Sequence, residues 1–299
     1  MATDLTNKVV VITGGADGIG FVTADKYLQK GARITILLDI NEKLGEDAVK
    51  KLITKYGKNK ALFMKCDVTT DVAKVSKKIF DNYKVDVLVN NAGILNDTLV
   101  KKTVEINVTA VIEWGLTFWD HMRKDKGGNG GTILNLASIY GYRVDQFLPV
   151  YQASKFAVMG FTKSLGHPAN FTRSGVRVVA MCPGFTETKL TDQPPIRDMG
   201  QNEDLHRFLE FQLPRADIGS AFKLYVISAG LTRIAERFMF TCVAEVSRRK
   251  PPVPTKLFLH FYYSMFVCYL RISTVILNLR DFKTSRGIKI PEWLAVRLK

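Results

Sequence analysis

Cysteine and histidine are scarce in this chain, four of each in 299 residues, and the scarcity excludes two classes of protein. Cys66, Cys182, Cys242 and Cys268 make no C-x-x-C pair and no dense framework, and His121, His167, His206 and His260 stand apart. Neither a disulfide scaffold nor a metal centre is expected from such spacing. Cys66 and Cys182 end apolar runs, where a cysteine usually packs as a small hydrophobe. The first residues lack the regions of a secretion signal, so a reducing, cytoplasmic location is expected. A sequence repeat is also missing.

A basic stripe is lacking too, despite a formal charge of +15. Residues 226–299 hold 13 lysines and arginines against 4 acids, a net of +9; residues 1–225 hold 30 against 24, a net of +6. The strong excess sits in the tail, and no interleaved basic and aromatic stripe precedes it. Nucleic acid is therefore not an expected partner.

With 46% hydrophobic residues the chain can bury a sizeable core. Over residues 8–190, short apolar β-branched runs alternate with helical patterns. Strands are expected at 8–13, 33–38, 61–66, 86–90, 132–137 and 176–181, with a helix at about 18–30 and another running from 151 toward 165. Runs apolar throughout, separated by helix-length connections, predict an α/β fold: a parallel, doubly wound sheet with its ligand site at the carboxyl ends of the strands. We expect one dinucleotide-binding and catalytic domain over residues 1–230, followed by an atypical basic and apolar segment over 231–299.

Thr13-Gly14-Gly15-Ala16-Asp17-Gly18-Ile19-Gly20 joins the first strand to the first helix. Gly14, Gly18 and Gly20 provide a tight turn, close approach of a pyrophosphate and close helix–sheet packing. Free amides at the helix start then favour phosphate. A tight loop with no ligand has the same composition, but the strand–turn–helix setting favours a cofactor. Asp39, 19 residues after Gly20, ends the second strand, where a carboxylate can accept hydrogen bonds from an adenosine ribose. It would repel a 2′-phosphate, and no arginine adjoins it, so NAD is expected over NADP; the other reading is a solvated strand-end aspartate.

Tyr151 and Lys155 are four residues apart on one helix face. A phenol of pKa about 10 is a poor base at neutral pH. A neighbouring ammonium and a cationic nicotinamide ring favour the phenolate, which can take a hydroxyl proton as hydride leaves the carbon. Y-x-x-x-K alone also describes a surface tyrosine beside a lysine. Ser138, 13 residues before Tyr151 at the end of the fifth strand, could stabilise charge developing on the substrate oxygen, or could be a turn serine. Asn107 lies mid-helix, where asparagine has low propensity; it either faces solvent or holds a water that passes protons to Lys155.

These motifs together resemble the short-chain dehydrogenase/reductase family, single-domain type. They are the glycine turn from Thr13 to Gly20, Asp67, Asn90-Asn91-Ala92-Gly93, Asn107, Ser138, Tyr151 with Lys155, and the run from Pro183 to Thr188, in the family's order over roughly residues 6–225. The resemblance implies that Asp67 and Val68 border the adenine and that Asn91 and Gly93 line the cofactor cleft. It implies that Lys155 binds the nicotinamide ribose while lowering the Tyr151 pKa, that Thr186 and Thr188 hold the carboxamide, and that Asn107 completes a proton relay. A homodimer or homotetramer through the long helices around Asn107 and Lys155 is also implied.

Within the family the chain resembles NAD-dependent hydroxyprostaglandin dehydrogenases and insect alcohol dehydrogenase-like proteins, through residues 127–131, 149–151 and 174–185. One departure concerns the glutamine that prostaglandin enzymes carry three residues before the tyrosine. Here it is Leu148, which cannot supply that hydrogen bond. Phe147, Leu148 and Phe185 suggest an apolar substrate pocket, or belong to the core.

Beyond residue 230 the resemblance breaks, and something like it resumes at residues 284–288. One account is an alternative or mis-joined exon replacing the family's final strand, a place the β-rich residues 273–279 could still fill. Another is membrane association through residues 257–279, a stretch long enough to cross but interrupted by Arg271. A third, favoured over both, is a poorly packed insertion. The expected activity is oxidation of a small lipophilic secondary alcohol to a ketone with NAD. The rival is a folded but inactive cofactor-binding or scaffold protein with a disrupted C-terminus.

Overall fold

The structure, a computed structural model, describes residues 5–184, 186, 188–191, 195 and 196. The boundary at 230/231, the segment 257–279, the strand expected at 273–279 and Phe185 lie outside the described residues.

Six apolar runs form the strands: β1 (Val9–Thr13), β2 (Ile34–Asp39), β3 (Ala61–Lys65), β4 (Val87–Asn90), β5 (Gly131–Leu136) and β6 (Val176–Met181). All pair in parallel, in the order β3-β2-β1-β4-β5-β6. Their ends differ by a residue from several expected ones, because pairing sets them as much as composition does. The β5 ladder, for example, begins at Gly131, opposite Val176.

The connections are α1 (Gly18–Gln29), α2 (Glu42–Tyr56), α3 (Val72–Phe80), α4 (Val100–Val104), α5 (Val111–Met122), α6 (Pro149–Leu165) and α7 (Pro168–Ser174). A π-helical turn, Glu105–Ala110, joins α4 to α5. Alternate strand residues point to opposite faces and build two cores. Val10, Ile12, Leu37, Val89 and Leu134 pack with Ala24 and Leu28 of α1 and Leu52 of α2. Val11, Ile36, Leu88, Ile133 and Val178 pack with Ile79 of α3 and with Trp114, Phe118 and Met122 of α5. Burying each large aliphatic or aromatic side chain contributes about 1.5–3 kcal/mol, which makes uninterrupted apolar strands worth more here than alternating ones.

Strand order reverses between β1 and β4, so the connections leaving these strands diverge and open a crevice at their carboxyl ends. A buried polar chain fixes the helices around it. Asn90 Nδ2 donates to Asn135 Oδ1 (2.9 Å) and to the Val111 carbonyl (3.2 Å), and Asn135 Nδ2 donates to Thr162 Oγ1 (2.9 Å). α5 and α6 are thereby registered against the ends of β4 and β5. Among the described residues no helix is long and apolar enough to cross a membrane.

Candidate active site

The crevice is a cleft of about 730 Å³. It runs from the glycine turn and Asp39, past Asp67 and the segment after β4, to Ser138, Tyr151 and Lys155, with Thr186 and Thr188 on its far wall.

At the turn, side chains would obstruct. A Cβ on Gly20 would lie 2.2 Å from the Gly14 carbonyl oxygen, and one on Gly14 would lie 2.9 Å from Ala92 Cα. Gly14 and Ile19 border the cleft, whereas Gly20 and Thr13 lie behind it as supports. Thr13 Oγ1 accepts the Asn91 and Ala92 amides (3.0 and 3.1 Å), and Asn91 Nδ2 donates to the carbonyls of Thr13 and Gly14 (3.0 and 2.8 Å). Thr13 and Asn91 thus brace the two strand ends against each other. Asp39 is aimed by two amides, Ala16 N on Oδ2 (3.1 Å) and Asn41 N on Oδ1 (3.0 Å). Next to it, Ile40 stands 64% exposed on the rim, an apolar surface the sequence reading did not single out.

Further along, Asp67 Oδ1 accepts the Thr69 amide and hydroxyl (2.9 and 2.7 Å). These bonds hold its carboxyl below the usual range. Trp114 Nε1 holds the Val68 carbonyl at 3.0 Å. The bare-backbone turn, the aimed carboxylate beyond it and the apolar rim fit a phosphate-bearing dinucleotide.

At the other end Ser138 leaves β5 in extended backbone, and its hydroxyl accepts the Tyr140 amide (3.2 Å) and, facing the same cleft as the Tyr151 phenol, favours the phenol's ionised form. Lys155 Nζ lies 5.5 Å from the Tyr151 ring centroid and donates to the Leu136 carbonyl at 2.8 Å. A Cβ on Gly93 would lie 3.2 Å from Asn107 Oδ1 and 3.7 Å from Lys155 Nζ, so both close on one bare α-carbon.

Burial governs both titrating groups. Loss of water pushes the Tyr151 phenol up to about 12, partly offset by Ser138, and pulls the Lys155 ammonium down to about 8. The expected lowering of the phenol by the neighbouring ammonium does not prevail among the protein's own groups. Desolvation is the larger effect.

Asn107 is fully buried, which removes the solvent-facing alternative. Its side chain is committed elsewhere than to Lys155: Oδ1 accepts Ile94 N (2.9 Å), and Nδ2 donates to the Ile94 carbonyl (2.8 Å) and Ser154 Oγ (3.1 Å). Ser154 in turn donates to the Tyr151 carbonyl at 2.6 Å. Asn107 therefore ties the segment after β4 to the Tyr151 helix. Thr186 is buried with its hydroxyl on the Gly184 carbonyl (3.2 Å), and Thr188 lies beside Gly18. Phe147 and Leu148 are core rather than cleft wall: both are buried with Leu95, Tyr140 and Tyr151.

Two charged residues escaped the sequence reading. Asp97 is fully buried, and its carboxylate accepts Val150 N and Tyr151 N, both at 2.9 Å. α6 begins with Pro149 after Leu148, which has no capping oxygen, so the carboxylate supplies the cap from another segment. The uncappable Leu-Pro start was the available signal. Lys189, after β6, reaches Asp17 Oδ2 at 2.8 Å across the turn.

Comparison with known proteins agrees with this architecture. The chain is 34% identical over 238 residues to 15-hydroxyprostaglandin dehydrogenase [NAD(+)] of Bos taurus, covering 78% of this chain and 87% of that one. It is 38% identical over 192 residues to alcohol dehydrogenase 1 of Ceratitis cosyra, covering 62% and 73%. A short chain dehydrogenase/reductase from Burkholderia phymatum, solved in complex with NAD, shares the fold with a TM-score of 0.64 at 22% identity, covering 75% of this chain and 86% of that one. The short chain dehydrogenase family profile matches residues 8–196, and the chain belongs to that family.

Proposed function

We propose that the protein oxidises a small lipophilic secondary alcohol to the ketone, with NAD as hydride acceptor and Tyr151 as base. The observation that carries this reading is the meeting of the Tyr151 phenol, the Ser138 hydroxyl and the Lys155 ammonium at one end of a cleft whose other end is a glycine turn and Asp39. Relatives named as an NAD(+) dehydrogenase and an alcohol dehydrogenase support it.

When bound, NAD would supply the hydride acceptor and a positive charge that favours the phenolate. Ser138 orients the alcohol oxygen toward Tyr151, which removes the hydroxyl proton as the C–H bond breaks. Lys155, charged at neutral pH even with its pKa drawn down to about 8, offsets by attraction part of the cost of burying the phenolate, and it would hold the nicotinamide ribose. Asn107 acts as a positioning residue through Ser154. Gly14, Gly18 and Ile19 would offer backbone to the diphosphate, with Gly20 and Thr13 supporting the turn from behind. Asp39 takes the adenosine ribose and disfavours a 2′-phosphate by like charge. Asp67 and Val68 would border the adenine, Asn91 and Gly93 would line the cleft, and Thr186 and Thr188 would hold the carboxamide. Leu95 and Tyr140 give the substrate end an apolar wall, consistent with a lipophilic alcohol.

A second copy of the chain is the partner we assign. Val100 and Val104 of α4, Leu116 of α5 and Phe156 of α6 are each more than 40% exposed, an apolar set on helices flanking the site.

The test is NADH formation by the full-length protein with a series of secondary alcohols of increasing chain length, run in parallel with NADP. Turnover that rises with chain length and prefers NAD is expected. Absence of turnover in a protein that still binds NAD would return the reading to an inactive cofactor-binding protein.

A further inference from the structure

We propose that Lys189 is a cofactor ligand: a cation delivered by the segment after β6, held by Asp17 beside the glycine turn, that contacts the dinucleotide's diphosphate. The inference rests on the NAD reading and assigns a residue to it that the motifs do not contain.

Asp17 caps α1, its Oδ1 accepting the Gly18 amide at 2.8 Å. A carboxylate is a favourable cap for a helix but a poor neighbour for a diphosphate, because it places negative charge where the first-turn amides attract an anion. Lys189 answers that conflict. Its Nζ lies 2.8 Å from Asp17 Oδ2, and the lysine is the first cause of the lowered Asp17 pKa.

The backbone carrying Lys189 is fixed. Thr191 N donates to the Thr188 carbonyl (3.0 Å), and the one proton of Thr191 Oγ1 goes to the Thr186 carbonyl at 2.7 Å, with the Thr188 carbonyl 3.1 Å away. The segment lies against the turn itself, since a Cβ on Gly18 would be 3.5 Å from Thr188 Cγ2. Asp17, Gly18, Thr188 and Lys189 all border the cleft. An ammonium has three donors, so Lys189 can keep Asp17 and still serve a phosphate oxygen. Asp17 is then the positioning residue: it parks the lysine at the turn, and the lysine cancels the charge that would oppose the diphosphate.

The pair is solvent-exposed, with side chains 78% and 52% accessible, so as a bridge alone it adds little to stability. Its effect belongs to binding, where removing one partner leaves the other charge acting alone.

Titrating wild-type, Lys189→Met, Asp17→Asn and the double variant with ADP-ribose and with adenosine tests this without turnover. Asparagine retains the helix cap, and methionine retains most of the aliphatic stem. Lys189→Met is expected to weaken ADP-ribose by about thirtyfold, the range of one charge-assisted hydrogen bond. The double variant should recover part of that loss, because the unopposed carboxylate is gone. Adenosine, lacking a diphosphate, should bind all four alike. Equal ADP-ribose affinity in wild type and Lys189→Met would overturn the assignment while leaving the NAD reading intact. Failure of wild type to bind ADP-ribose would remove both.

Discussion

The two ends of the cleft solve different problems with different materials. At the glycine-turn end the protein presents backbone and small residues, and its polar side chains are satisfied locally: Thr13 Oγ1 by the Asn91 backbone amide, Asn91 Nδ2 by the Thr13 and Gly14 carbonyls, and Asp67 by the Thr69 amide and hydroxyl. At the Tyr151 end it buries a phenol and an ammonium whose pKa values burial drives toward the neutral forms. The first end is built to be stable before anything binds. The second is maintained at a cost, and it is the end to which we assign the chemistry.

That contrast is sharpest at Lys155. Lys155→Met should lower kcat/KM about a thousandfold, roughly 4 kcal/mol, while raising the thermal midpoint, because a buried charge disappears. The folded-state pKa of about 8 lies below the ordinary 10.5, so below pH 8 the charged form carries the full desolvation cost, about 3 kcal/mol. Between pH 8 and 10.5 the unfolded chain binds more protons than the folded one, so the wild-type protein gains stability as pH rises and the variant's advantage shrinks. Thermal melts of both proteins across pH 7–10 check this; a variant that melts below wild type at neutral pH would break the comparison.

The turn should behave in the opposite way, losing stability and binding together. Gly20→Ala forces a methyl against the Gly14 carbonyl oxygen and should cost about 3 kcal/mol in urea melts while abolishing NAD binding. Next comes Asp97→Ala, which strips the cap from α6 and should cost about 2 kcal/mol, with kcat falling because Tyr151 loses its backbone tether. Smallest is Asp39→Ser, expected to move the NAD-to-NADP preference by about tenfold with little change in the melting curve, since like-charge repulsion is removed while a hydroxyl remains near the two amides.

Most of the sheet was legible because strands buried on both faces read as unbroken apolar runs, and the residue pattern from Val176 to Met181 became β6 without change. The Tyr151–Lys155 pair was legible because one helical turn carries both, and Ser138 because strand ends collect at the site. Orientation was not legible. Spacing could not show that Phe147 and Leu148 turn away from the cleft, or that Asn107 is buried in a π-helical turn where the ordinary helical period no longer predicts its face. Asp97 was hidden for a different reason: the helix it caps lies more than fifty residues further along the chain, beyond the reach of any local capping pattern.

The most direct test of the account is Tyr151→Phe, assayed for NAD binding and for NADH formation on the same sample. The phenyl ring keeps the packing against Tyr140 and loses only the oxygen, so NAD affinity should be unchanged and turnover should fall by about three orders of magnitude or more. A variant that binds NAD and retains wild-type turnover would contradict the assignment of Tyr151 as the base.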